Sequence, residues 1–397
     1  MRTIFREIAI TLYLTLFKTF FSICQLFPQK NKTVFVSSFG DNIFYVLEEV
    51  KKTDSEIILL STNSSKNIIN HTDYPVLNFN EKHVLDWIKS IYHLATANVI
   101  FIDNYYGFLA ATNFKKNVIC VQLWHAAGAI KQFALKDPSN SQRSHRANAR
   151  FRKVYNRFDK IVVGSEKMAN IMKSSFGAND DKILRTGIPR TDFFYDIEKV
   201  AKAKQKLYDS IPAAKQKKVI LYAPTFRENQ SQLTKFHLDL NRMFEELKDD
   251  YILLVRAHPS IKASFIDSFP GFLYDVSQVR HVNEILTITD ILITDYSSIP
   301  FEFSLLKKPM YFFPYDLFEY MEERGFYEPY ESLVPGPIAF ETKELIQMIK
   351  ENAYSPERLE RFQHQWNTYS TGDASLQLIQ AIYPEETKEQ DVAILKE

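Results

Sequence analysis

The sequence predicts an α/β protein built as two doubly wound parallel-sheet domains that face a cleft. Three observations carry that expectation. Short β-rich apolar runs alternate with amphipathic helical stretches along the chain, the pattern of a parallel sheet covered on both faces. The rhythm breaks once, at a charged, Lys-rich helical stretch over 196–217, and then starts again. Polar clusters follow the apolar runs, and in open parallel sheets ligands sit outside the carboxyl ends of the strands. A chain of 397 residues is long enough for two such cores.

Residues 1–30 stand apart from this rhythm. Residues 8–27 are mostly apolar, yet Lys18 lies at their centre and would be costly in the middle of a bilayer. Thr11, Thr15, Lys18, Ser22 and Gln25 recur at steps of four and three, which places them on one stripe of a helix. Arg2, Arg6, Lys30 and Lys32 add basic flanks. The pattern predicts an amphipathic helix lying in the membrane interface on the cytoplasmic, anionic side, so the protein is expected as a peripheral protein of the cell membrane. The other reading of the same stripe is a helix packed on the protein's own core. No small-residue cleavage site follows, so removal as a signal peptide is not expected. On the membrane reading, deleting residues up to about Pro28 leaves a more soluble and still active protein.

A first Rossmann-like domain is expected over 31–196. Its strands are read over 33–37, 56–60, 99–102, 118–123 and 160–163, with a last strand starting near 183, and its helices over 41–51, 81–97 and 166–176. A second is expected over 197–397. There, strands over 218–222, 251–255, 272–276, 291–294 and 309–313 alternate with helices over 238–247, 282–289 and 300–308. Helices over 342–351 and 356–369 follow, and the last can pack back on the first domain.

Composition removes several function classes. The chain is 45% hydrophobic and 24% charged, which is the balance of a folded protein. A formal charge of +1 gives no nucleic-acid signature, so no nucleic-acid partner is expected. Glycine is scarce and neither GxGxxG nor GxxxxGK[ST] occurs, which argues against a Gly-rich dinucleotide or P-loop site. Cys24 and Cys120 form no framework, and no His/Cys/Asp group has metal-ligand spacing, so neither a metal nor a cofactor is expected.

The polar clusters carry the chemistry. Val121-Gln-Leu-Trp-His125 ends a strand and runs through small residues to Lys131. A histidine there can approach a substrate as a base, or serve as a structural hydrogen-bonder. In the second half Thr225 and Arg227 follow one strand, and Arg256 and His258 the next. Asp295, Ser297 and Ser298 follow a third, with Glu302 on the helix after them. Each arginine also suits a surface ion pair, and Asp295 suits a turn-ordering role. The serines suit an N-cap, and a helix N-terminus offers N–H groups and a positive dipole end to an anion. A candidate base in one half and anion-binding groups in the other suit group transfer from an anionic donor to a hydroxyl acceptor.

Several of these segments occur together in a recognisable order. They are Trp124-His125, Tyr222-Ala-Pro-Thr-Phe-Arg227, Arg256-Ala-His-Pro259, Thr294-Asp-Tyr-Ser-Ser298, Phe313-Pro-Tyr-Asp316, Arg324-Gly-Phe-Tyr327 and Pro335-Gly-Pro337. As a set they resemble the CDP-glycerol glycerophosphotransferase family of teichoic acid synthesis, over roughly residues 32–369. The resemblance implies a GT-B fold and a peripheral membrane enzyme. It implies transfer of glycerol phosphate from CDP-glycerol to a polyprenyl-diphosphate-linked saccharide, with release of CMP. The loop after His125 departs from the family's His-Gly-Thr-Pro pattern, which bears on the acceptor. A short catalytic unit behind an interfacial helix resembles the members that add the first glycerol phosphate, with later, already primed acceptors as the alternative.

On this reading His125 is the general base, and His258, Arg227, Ser297 and Ser298 stabilise charge on the diphosphate. Thr225, Arg256, Asp295 and Glu302 are expected around the phosphates and ribose. A nucleotide-sugar glycosyltransferase of the same fold is the rival enzyme. The glutamate pair eight residues apart that many retaining members carry is missing, because Glu302 has Met310 at that spacing. A non-catalytic membrane subunit of a wall-polymer complex is the rival binding protein.

Overall fold

The structure, a computed structural model, describes residues 2–62, 74–225, 227, 237–256 and 268–384. The strands in chain order are β1 (Lys32–Ser37), β2 (Glu56–Ser61), β3 (Val76–Asn78), β4 (Val99–Ile102), β5 (Ile119–Gln122), β6 (Lys160–Val162) and β7 (Ile183–Leu184). Next come β8 (Lys218–Ala223), β9 (Tyr251–Val255), β10 (Leu273–Asp275), β11 (Ile291–Thr294) and β12 (Met310–Phe312). The helices are α1 (Arg2–Cys24), α2 (Asp41–Val50), α3 (Val84–Thr96), α4 (His145–Tyr155), α5 (Glu166–Phe176), α6 (Ile197–Ser210) and α7 (Leu240–Leu247). They continue as α8 (Val282–Ile288), α9 (Ile299–Phe303), α10 (Leu317–Arg324), α11 (Tyr330–Leu333), α12 (Thr342–Lys350), α13 (Pro356–Asn367) and α14 (Ala374–Ile382).

The chain divides into two compact units, residues 1–126, 133–192 and 369–397, and residues 127–132 and 193–368. Each is built on one sheet. The first sheet has seven strands in the order β3-β2-β1-β4-β5-β6-β7, and the second has five in the order β10-β9-β8-β11-β12. Every strand pairing among the described residues is parallel; Thr33, for example, lies opposite Ile57 on one side and Val99 on the other. The central strands are largely apolar and almost entirely buried, as parallel strands covered on both faces must be. The first sheet reverses its winding between β1 and β4, and the second between β8 and β11, so each unit has one topological switch point.

Local chemistry sets the ends of the elements. The charged stretch expected as one helix over 196–217 stops at Ser210, because Pro212 cannot continue it and a 3-10 turn follows. The stretch expected over 300–308 is shorter as well. Helix α9 gives way to a 3-10 turn that Lys307 ends in a left-handed conformation. Helix α14 is anchored in the first unit, where the Asp192 carboxylate accepts from the N–H groups of Ala374 and Ser375 at 2.9 and 2.8 Å.

Helix α1 has two faces of different fate. Phe17, Phe21 and Cys24 are buried, and Phe17 meets Trp87, Phe79 and Phe108. The helix is therefore part of the first unit's core. Truncation up to Pro28 would open that core rather than merely free a tether, because burying one large aromatic is worth about 3–5 kcal/mol. Phe5, Ile8, Leu12, Leu16 and Ile23 remain exposed on the other face. Thr11, Thr15 and Thr19 turn their hydroxyls back onto the carbonyls of Glu7, Thr11 and Thr15 at 2.7–3.0 Å, so these polar groups are satisfied within the helix.

Candidate functional site

In the first unit the switch point is organised by Asp103, which follows β4. Its buried carboxylate accepts from the backbone N–H groups of Ser38, Phe39 and Gly40 in the loop after β1, at 2.8–3.1 Å. Tyr106 Oη donates to it at 2.7 Å. Burial pushes the Asp103 carboxyl up, against the pull of these donors. The same residue's backbone oxygen lies 3.2 Å from His125 Nδ1, and the Phe39 ring stacks on the His125 ring at 4.2 Å. A carbonyl can only accept, so Nδ1 carries the proton and the lone pair of the neutral imidazole sits on Nε2. Asp103 thus places His125 twice, through its own carbonyl and through the loop that carries Phe39.

The turn that presents His125 is strained and pinned. Trp124 has φ of 57°, a left-handed conformation that costs a bulky residue about 1–3 kcal/mol. Its N–H donates to Gln122 Oε1 at 2.8 Å, and its carbonyl accepts from Asn42 Nδ2 at 2.9 Å. The residues that follow, 127–132, belong to the second unit. Ala127, Ala129 and Ile130 are buried there, and Gly128 lies so close to Phe301 that a Cβ would sit 2.5 Å from its ring. The small residues after the histidine therefore serve packing against α9.

In the second unit Arg227, Asp295 and Thr225 meet at the switch point. Arg227 is buried and donates to Asp316 through Nε and Nη2, both at 2.7 Å, to Asp295 Oδ2 at 2.8 Å and to the Thr225 carbonyl. The rings of Tyr296, Tyr315 and Tyr320 surround its guanidinium at 4.8–5.2 Å. Burial alone would loosen its proton, but the Asp316 bonds and the Asp295 charge raise its pKa. Four of its five N–H groups are thus committed to protein, which makes Arg227 chiefly an organiser of the loops. Asp295 also accepts from the N–H groups of Thr225 and Tyr296 at 2.8 and 2.6 Å and is buried, so its carboxylate pins the turn. The Thr225 hydroxyl is buried and has no hydrogen-bond partner among the described residues.

Four of the other expected residues are described in the second unit. Ser297 Oγ accepts from the N–H of Ile299 at 3.2 Å. Ser298 is the N-cap of α9 but makes no side-chain capping bond. Pro300 in the first turn removes one N–H that an anion would use. Glu302 is buried on α9. Arg256 follows β9 and donates to the Val279 carbonyl at 2.7 Å. His258 lies outside the described residues.

One residue missed by sequence reasoning is Lys131, at the end of the buried post-histidine segment. Burial lowers its pKa against the charge of Asp295, with Arg324 and Arg227 adding to the lowering. Its ammonium has no ion pair among the described residues. The only signal in the sequence was its place at the end of a small-residue run after His125.

Two parallel sheets, each with one topological switch point lined by polar residues, define the GT-B-like class of fold. A solved structure described as the wall teichoic acid polymerase TagF superposes with a TM-score of 0.78, at 24% identity and covering 98% of each chain. A structure of a variant of that polymerase soaked with CDPG gives 0.79, at 24% identity and covering 97% of this chain and 99% of that one. The chain belongs to the CDP-Glycerol:Poly(glycerophosphate) glycerophosphotransferase family, whose sequence profile matches residues 18–384. Among curated relatives, the teichoic acid poly(ribitol-phosphate) polymerase of Bacillus spizizenii is 36% identical over 96% of this chain and 61% of its own length. The teichoic acid glycerol-phosphate primase of Bacillus subtilis is 34% identical over 95% of this chain and 98% of its own length. The chain thus spans less than two thirds of the polymerase and nearly all of the primase.

Proposed function

We propose that this enzyme transfers glycerol phosphate from CDP-glycerol to a hydroxyl of a polyprenyl-diphosphate-linked disaccharide, releasing CMP, as the priming step of wall teichoic acid linkage-unit synthesis. The observation that carries the reading is the His125–Asp103 contact, which leaves a lone pair on Nε2, in a chain that aligns with a primase along nearly its whole length. Nε2 takes the proton of the acceptor hydroxyl as its oxygen bonds to the β-phosphorus. The bond from that phosphorus to the bridging oxygen breaks, and CMP leaves with the electron pair. Phosphoryl transfer asks the protein mainly for positioning and charge stabilisation. In the second unit Lys131, the Thr225 hydroxyl, Ser297 and Ser298 take that part, with Arg256 and His258 after β9. Arg227 and Asp295 hold the loops that present them. We assign α1 to the cytoplasmic membrane face, where its exposed apolar stripe meets lipid.

A second donor is favoured by one observation: relatives named for ribitol phosphate, a polymerase and a primase, are 36% and 32% identical to this chain. The deciding experiment measures CMP release from CDP-glycerol and from CDP-ribitol, with the lipid-linked disaccharide bare or already carrying one glycerol phosphate. Release from CDP-glycerol that requires the bare disaccharide, with one glycerol phosphate added by mass spectrometry, is the expected result. Release only with the primed acceptor moves the enzyme one step later. Turnover of CDP-ribitol alone changes the donor, and turnover of a UDP-sugar alone would overturn the transferase class proposed.

A further inference from the structure

A cavity of about 480 Å³ lies in the first unit between the N-terminal half of α1 and the start of α4, and nothing in the proposed reaction uses it. Its walls are of two kinds. Ile10, Leu14 and Phe151 are apolar, while Arg6, Arg143 and Arg150 bring three guanidinium groups to the same space. A single carboxylate, Glu7, opposes them. Arg150 Nη1 and Nη2 donate to Glu7 at 3.1 and 3.2 Å, and the charges of Arg6 and Arg146 also hold that carboxyl below its usual range. Arg143 donates to Asn140 Oδ1 and Ser139 Oγ at 2.7 and 3.0 Å and lies over the Phe151 ring at 4.5 Å. Each of these two arginines is thereby fixed in place by two N–H groups and keeps others for a ligand. Arg6 has no ion pair among the described residues. Helix α4 has no acidic residue at all, reading HRANARFRKVY.

Two features tie the cavity to the reacting end of the unit. Tyr105 and Gly107 line it, and they belong to the loop whose Asp103 carbonyl holds His125. Helix α1, which supplies Arg6 and Leu14, also carries the exposed stripe of Phe5, Ile8 and Leu12 on its other face. One loop thus joins the cavity to the candidate base, and one helix joins it to a lipid-facing surface.

We propose that this cavity is the subsite for the diphosphate of the lipid-linked acceptor, with Arg6, Arg143 and Arg150 as its ligands. Guanidinium forks match phosphate oxygens in pairs, and three of them against one carboxylate suit a group of more than one negative charge. The proposal rests on the lipid-linked acceptor of the proposed function, so its test reads binding without turnover. Full-length protein in detergent is titrated with farnesyl diphosphate, farnesyl monophosphate and inorganic pyrophosphate. The double variant Arg143→Gln/Arg150→Gln, checked by thermal melting, should bind farnesyl diphosphate about tenfold more weakly or worse and raise the acceptor KM to match. The KM for CDP-glycerol is the control for general damage. Affinity for farnesyl diphosphate within twofold of the parent in a folded variant would overturn the assignment. So would pyrophosphate binding as tightly as the lipid diphosphate, which marks a free-anion site. Should the variant not fold, a diazirine-bearing farnesyl diphosphate on the unaltered protein decides. Label on residues 10–14 or 143–151 supports the subsite, and label confined to other segments overturns it. A failed turnover assay alongside positive binding would reject the proposed reaction and leave the subsite standing.

Discussion

With the Asp103 carbonyl holding the His125 proton on Nδ1, the base role proposed for Nε2 needs no change of tautomer. Replacing His125 with Ala removes that lone pair and should cut kcat about 10²–10⁴-fold while the melting temperature hardly moves, because the ring is only half-buried. Near-parental turnover would take His125 out of the reaction. Lys131 is a different case, since the role proposed for it rests on its charge rather than its proton. Lys131→Met keeps the length and apolar stem and removes the cation. It should raise the CDP-glycerol KM or lower kcat about tenfold or more without loss of stability, measured by initial rates beside a thermal melt. A stabilised protein with unchanged kinetics would show that the buried charge only costs energy. Neither prediction depends on Arg227, whose donors Asp295, Asp316 and the Thr225 carbonyl already occupy.

At the scale of elements, the segment 127–132 and helix α3 carry the sharpest consequences. Gly128→Ala drives a methyl into the Phe301 ring and should destabilise the second unit by about 1–3 kcal/mol, read as an earlier urea midpoint. Helix α3 holds His93, whose pKa is lowered to about 4 by burial, with Lys32 nearby adding to the shift. A histidine that resists protonation only when folded adds stability above its unfolded pKa, near 6.5, and that stability is lost as pH falls towards 4. The parent should therefore weaken over that window, and His93→Gln should flatten the loss in denaturant titrations at a series of pH values. These elements also show what the sequence could tell. The strands around both switch points were legible because parallel strands read as unbroken apolar runs, as in residues 99–102 and 291–294. Strand β3 was not, being three residues long and only half-buried at a sheet edge. Helix α4 was missed because just Ala147, Val154 and Tyr155 are buried in it, too few to print a helical period on a run of arginines. Candidate site residues were legible where polar residues follow strands. Which of them brace the loops was hidden, because that depends on the carboxylates of Asp295 and Asp316 folding onto Arg227 from far along the chain.

For the molecule as a whole, α1 presents two unlike faces. Its inner face is core and its outer face carries Phe5, Ile8, Leu12, Leu16 and Ile23. Leu12→Gln/Leu16→Gln alters only the outer face, so the fold should survive while co-sedimentation with phosphatidylglycerol vesicles falls several-fold. Retained sedimentation would move lipid contact elsewhere. The helix also has a consequence for how the protein is born. It is translated before Phe79, Trp87 and Phe108, the rings that cover its inner face. Until they arrive both faces lack their protein cover, and a bilayer surface is able to receive such an apolar helix. On the proposed membrane docking, the same bilayer would then shelter the helix while its first domain closes.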